Sequence, residues 1–141
     1  MYLDTSVSAK LYFDEPESQW ISKILAESRP VLCSSELLIA ELHSVAARKL
    51  REKFLTSRQS KDAISAFMED DRKGIWHLYP VTRETLGSAG KLIERLSVTV
   101  GIRALDAIHL ATCIEYSLYP IFTTDKVMLS AAKELKIEVV V

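Results

Sequence analysis

Four of the 19 acidic residues stand where a carboxylate is hard to explain as ordinary surface. Asp4 follows the apolar opening run and precedes Thr5 and Ser6. Glu41 shares a helical face with Leu37, Leu38 and Val45, so its charge points among apolar neighbours. It must meet a cation there, whether a buried salt-bridge partner or an ion. Asp106 falls in the first turn of a helical run, where the helix dipole favours negative charge. Asp125 ends the strand-like run from Ile121 to Thr124, just before another helix. Taken singly, Asp4 and Asp125 read equally well as helix N-caps, and Asp106 as dipole compensation. Gathered at one place, the four would repel, each close pair by about 3–4 kcal/mol at an effective dielectric of about 20. A divalent cation removes that penalty. All-oxygen ligation selects hard ions, Mg²⁺ or Mn²⁺. Such a centre can acidify and orient a bound water and offset charge on a phosphodiester. The remaining acids read as solvated, among them the run Glu69-Asp70-Asp71 and helix positions such as Glu27, Glu52, Glu94, Glu115 and Glu134.

The surrounding elements decide whether the four can meet. Short β runs alternate with helices along the whole chain. Strands are expected at Met1–Leu3, Pro30–Cys33, Ile75–Leu78, Pro120–Thr123 and Glu138–Val141. Between them, Val7–Phe13 reads as a first short helix, and Asp14 as the cap of a second with Pro16 in its first turn. Ser34 or Ser35 is expected to cap a long helix running to about Lys53, and a further helix to span Ser60–Lys73, stopped by Gly74. Thr82 caps a helix carrying Leu86, Ala89, Ile93 and Leu96; Ser97–Arg103 reads as a loop. Helices over Ala104–Leu118 and Lys126–Leu135 complete the pattern. This alternation predicts an α/β sandwich around a mainly parallel sheet of short strands. Asp4 and Asp125 would then lie at carboxyl ends of strands, with Asp106 at a helix N-terminus facing the same edge. Sites in such sheets form there.

Composition narrows the class. The chain has 141 residues, 48% apolar and 26% charged, as a soluble globular domain does. Residues 1–141 read as a single domain, with no linker or repeat. No apolar run approaches the roughly 20 residues of a membrane span, and Asp4 stands where a secretory leader would be basic, so a cytoplasmic protein is expected. Cys33 and Cys113 form no Cys-x-x-Cys pair and read as small buried hydrophobes. The net charge of −1 argues against nucleic-acid binding by bulk charge. A local basic face remains open: Arg48, Lys49, Arg51, Lys53, Arg58 and Lys61 are opposed only by Glu52 in that stretch, and Arg103 precedes the helix of Asp106. These are either a solvated helix end or a rim that contacts phosphates. Leu11, Tyr12, Phe13 and Trp20 read mainly as core, with a portion open to a partner.

Tyr2-Leu3-Asp4-Thr5-Ser6, Ile39-Ala40-Glu41-Leu42, the run from Arg103 through Leu105-Asp106-Ala107-Ile108-His109-Leu110-Ala111, and Thr123-Thr124-Asp125 together resemble the PIN-domain family. More narrowly, they are similar to the toxin subunits of VapBC-type toxin–antitoxin pairs. The resemblance runs in order along essentially the whole chain, and the segment around Asp106 is its most specific piece. It implies a PIN-like α/β/α fold and a Mg²⁺- or Mn²⁺-dependent ribonuclease. The acidic site would be Asp4, Glu41, Asp106 and Asp125, supported by Ser6 and Thr123. Arg48, Arg51 and Arg103 are the candidates for RNA contact. A cognate antitoxin covering the site and a homodimer are implied as partners. Some relatives carry an extra acid just after the last Asp, whereas Lys126-Val127-Met128 follow here, so no tightly held second metal is expected. His109 reads as a structural hydrogen-bonding residue rather than a base; His43 and His77 read as structural or surface groups. A catalytically silent PIN-fold dimeric binding module is the alternative. A phosphoryl-accepting flavodoxin-like domain is disfavoured, because Asp4-Thr5-Ser6 lacks the second acid it would need.

Overall fold

Strand formation here needs only two to four residues at a time, because each short apolar run is paired on both sides or covered by helices. The computed structural model describes residues 1–140. Strands β1 (Tyr2–Leu3), β2 (Leu32–Ser35), β3 (Trp76–Tyr79), β4 (Ile121–Phe122) and β5 (Val139–Val140) form one sheet in the order β3-β2-β1-β4-β5. Every pairing is parallel, with Tyr2 opposite both Cys33 and Ile121. The chain leaves β1 toward β2 and β3 on one side and returns to β4 on the other. Between β1 and β4 the connections therefore diverge, and a crevice opens beyond the carboxyl ends.

Alternation along the strands divides the core between two layers. Tyr2 and Ile121 pack with Ala89 and Leu96 of α5 (Arg83–Leu96), Ala107, Leu110 and Ala111 of α6 (Ala104–Glu115), and Met128 and Ala131 of α7 (Lys126–Glu134). Leu3 and Phe122 pack on the other face with Val7 of α1 (Thr5–Ser8), Ile21 of α2 (Ser18–Ser28), Leu38 and Leu42 of α3 (Leu37–Arg51), and Phe67 of α4 (Ser57–Arg72). The result is the expected α/β/α sandwich. Cys33 and Cys113 are buried free thiols. No described helix is long and apolar enough to cross a membrane.

Several boundaries differ from the sequence expectation, each for a local reason. Ser34 and Ser35 do not cap α3. They are buried in β2, paired with Leu78 and Tyr79, and the helix starts only after Glu36, whose N–H bonds the Tyr79 carbonyl at 2.9 Å. The first helix starts at Thr5 and tightens into a 3₁₀ turn at Ala9–Leu11, where Tyr12 N–H bonds the Ala9 carbonyl. Asp14 caps nothing; α2 begins four residues later, where the Ser18 hydroxyl accepts the Glu15 N–H and donates to the Phe13 carbonyl. Helix α4 starts at Ser57 rather than Ser60, because Thr56 and Gln59 form a reciprocal capping box. Helix α3 stops at Arg51, with Lys53 in the left-handed region at φ 63°. Helix α6 stops at Glu115, short of Leu118, with Ser117 left-handed at φ 54°. The Thr82 cap forms as expected, accepting the Thr85 N–H at 3.1 Å. Of the expected closing strand, Val141 lies outside the described residues.

Candidate active site

At the end of β1 the chain must turn at once into α1, and Asp4 makes that turn. Its Oδ1 accepts the Val7 N–H at 3.3 Å and the Ser6 hydroxyl at 2.7 Å, while Oδ2 accepts the Thr123 hydroxyl at 2.9 Å. Only 5% of the residue is exposed. Burial raises the Asp4 carboxyl above the usual range, against the hydrogen bonds of Ser6, Thr123 and Val7 and the electrostatic pull of His109. Thr123 in turn accepts the Asp125 N–H at 3.0 Å, and Ser6 accepts the Thr124 N–H at 2.9 Å. These two hydroxyls lace the end of β1 to the end of β4.

Asp125 caps α7, with Oδ1 accepting the N–H groups of Val127 and Met128 at 2.7 and 3.0 Å. Asp106 sits in the first turn of α6, with Oδ2 3.4 Å from the Arg103 N–H that donates to it and 3.7 Å from Arg103 Nε. Burial raises its carboxyl, and the charge of Asp125 adds to the rise, against the pull of Arg103 and His109. Three of the four acids thus do act as helix-terminus groups. That role positions them; it does not consume them.

Glu41 comes from α3 in the opposite layer. Its Oε2 accepts the Thr5 hydroxyl and lies 2.6 Å from His109 Nε2. Burial pushes the Glu41 carboxyl up, but the hydrogen bond and electrostatic pull of His109, helped by Thr5, outweigh it and hold the group below its usual range. His109 is 3% exposed, and its Nδ1 lies 2.7 Å from the Tyr2 hydroxyl. The polar partner that the apolar setting of Glu41 demands is therefore His109, a histidine 68 residues away.

All four acids line one cavity of about 600 Å³, together with Thr5, Ser6, Lys10, Arg48, Arg103 and His109. Arg51 is exposed on the last turn of α3 and does not line it; Thr123 lies buried behind Asp4. Lys10, Thr5 and Tyr2 were not singled out by the sequence. Lys10 is 10% exposed at its side chain, 2.7 Å from Glu17 and 2.6 Å from the Thr124 hydroxyl. Its only sequence signal is a lone cation inside the otherwise apolar and small run from Val7 to Phe13. Asp70, read as part of a solvated run, accepts the Tyr12 hydroxyl at 2.9 Å.

The oxygens left over define what the cavity can bind. Among the described residues no hydrogen bond engages Glu41 Oε1, Asp106 Oδ1 or Asp125 Oδ2. This donor set is oxygen-rich and free of thiols, which suits Mg²⁺ or Mn²⁺. Among the described residues no three acid, histidine or cysteine side chains are grouped closely enough to hold an ion between them.

Fold and site together define a class. The chain belongs to the PIN domain family, whose sequence profile matches residues 1–134. Its fold is similar to that of VapC20 of Mycobacterium tuberculosis, a Sarcin-Ricin loop cleaving toxin, with a TM-score of 0.72 at 17% identity over 92% of this chain and 93% of that one. It is also similar to FitAcB from Neisseria gonorrhoeae, with a TM-score of 0.66 at 20% identity over 98% and 94% of the two chains. At these identities the likeness is one of fold. No curated protein matches the sequence.

Proposed function

We propose that this chain is a metal-dependent endoribonuclease, the toxin of a toxin–antitoxin pair. The observation that carries the reading is the convergence of Asp4, Glu41, Asp106 and Asp125 on one cavity, three of them with an oxygen that no group among the described residues engages. Membership of the PIN family and the fold shared with a Sarcin-Ricin loop cleaving toxin support it. A bound Mg²⁺ or Mn²⁺ would be held by these acids and would supply charge neutralisation and an acidified water.

The protein's own groups do the rest. Ser6 and Thr123 fix Asp4 against rotation, so that its charge stays at the crevice floor. Asp106 and Asp125 present their free oxygens from two helix N-termini. Arg48 and Arg103 stand at the cavity wall and attract the RNA phosphates that flank the cleaved bond. The reading includes a cognate antitoxin that covers the cavity, a homodimer, a cytoplasmic location and a single domain.

The test is cleavage of total cellular RNA by the purified chain with Mg²⁺ or Mn²⁺, alongside EDTA and Asp106→Asn. Discrete fragments are expected that vanish with EDTA and fall on the order of 10²-fold or more in the variant, the scale of losing one electrostatic stabiliser of the transition state. Full activity in Asp106→Asn would sink the site. No cleavage together with no Mn²⁺ binding would favour a silent PIN-fold binding module.

A further inference from the structure

We propose that Tyr2 and His109 are positioning residues for Glu41, acting as a buried relay that fixes which oxygen of Glu41 is offered to the cavity. The inference rests on the reading of Glu41 as a site acid. It adds two residues that touch neither substrate nor metal.

The geometry is unusual because it crosses the sheet. Tyr2 faces the layer of α5, α6 and α7, and its hydroxyl meets His109 Nδ1 at 2.7 Å. The far nitrogen, Nε2, lies 2.6 Å from Glu41 Oε2, on a helix of the other layer. Tyr2 is fully buried and His109 nearly so. A glutamate has three rotatable bonds and could turn its carboxylate many ways. Two donors on Oε2, His109 and Thr5, leave one orientation.

Proton placement follows from the partners. An ionised carboxylate only accepts, so Nε2 must carry a hydrogen. With Nε2 donating to Glu41, Nδ1 is the acceptor, and the Tyr2 hydroxyl 2.7 Å away donates its hydrogen to it. Tyr2 thereby selects the Nε2–H form of the ring, the form that holds Glu41. Outer partners of this kind tune metal sites by orienting the ligand and fixing the histidine tautomer.

The experiment has two arms on the full-length chain. In the metal-free protein, long-range ¹H–¹⁵N spectra of histidine rings, assigned with His109→Gln, should show His109 protonated at Nε2 and bare at Nδ1. A protonated Nδ1 overturns the proposal. In the second arm, Mn²⁺ affinity is read by electron paramagnetic resonance for the wild type, Tyr2→Phe, His109→Ala and His109→Gln, each checked for folding by circular dichroism. Tyr2→Phe and His109→Ala should weaken Mn²⁺ binding on the order of 10- to 100-fold. His109→Gln, which keeps an N–H toward Glu41, should recover most of that loss. Folded variants that all bind Mn²⁺ as the wild type does would overturn the relay while leaving the metal site standing. No Mn²⁺ binding by the wild type would overturn the metal reading itself.

Discussion

A carboxylate dominated by burial and one whose hydrogen bonds outweigh burial respond to pH in opposite senses, and this cavity holds both. Burial raises the Asp4 carboxyl, so the folded state disfavours its ionised form. The resulting penalty is absent below the ordinary aspartate value of about 3.9 and grows as pH rises toward the raised folded value. Glu41 is held below its ordinary value of about 4.3, so its stabilising contribution is full above that value and is lost as pH falls through the depressed one. Asp4→Asn is therefore expected to stabilise the fold at neutral pH. Glu41→Gln is expected to destabilise it by about 1–3 kcal/mol, because His109 and Thr5 lose a charged acceptor. Urea denaturation at pH 7 and pH 4 checks both signs, and a destabilised Asp4→Asn would contradict the account. The positions of Asp4, Asp106 and Asp125 were legible because strand ends and helix starts are written locally, in short apolar runs and capping residues. The partner of Glu41 was not. Nothing near position 41 names His109 or Thr5, and only the tertiary crossing of layers brings them together.

At the level of elements, the site depends on helix starts more than on helix bodies. Asp4, Asp106 and Asp125 all sit at such starts, on α1, α6 and α7. The same device occurs far from the cavity at α4, where Thr56 and Gln59 satisfy each other's backbone groups. Thr56→Ala should cost about 1 kcal/mol of stability, measured by thermal unfolding, and leave Mn²⁺ affinity unchanged. A change in Mn²⁺ affinity would show that α4 is coupled to the cavity. Several boundary differences share one cause. Serines read as caps, Ser34 and Ser35, were drawn into β2 because a neighbouring strand was available to pair with them. Hydroxyl side chains serve either role, and the pairing that decides between them lies more than 40 residues away. Thr82 had no strand to claim it, and it caps α5 as read.

Across the whole molecule, two apolar layers share five short strands, so neither can stand without the sheet. Leu110→Ala in one layer should cost about 2–5 kcal/mol, and Phe67→Ala in the other about 3–5 kcal/mol. Each is a large share of a typical total of about 5–15 kcal/mol. Because the strands are common to both layers, each variant should lower a single calorimetric transition rather than split it. Two separate transitions would mean that the layers unfold independently. The sandwich itself was legible from the rhythm of strand and helix, since that rhythm admits few architectures. The order of the strands was not read from the sequence.

That order has a consequence for how the protein comes into being. The central strand, β1, is made first, yet its neighbour β4 lies more than 100 residues further along. During synthesis the first strand must wait, paired at most on one side, until Ile121 and Phe122 have left the ribosome. Thr123 and Asp125 arrive with that late strand. A chain interrupted before them carries Asp4 without its clasp, so a cell that halts translation early releases a fragment with no finished centre.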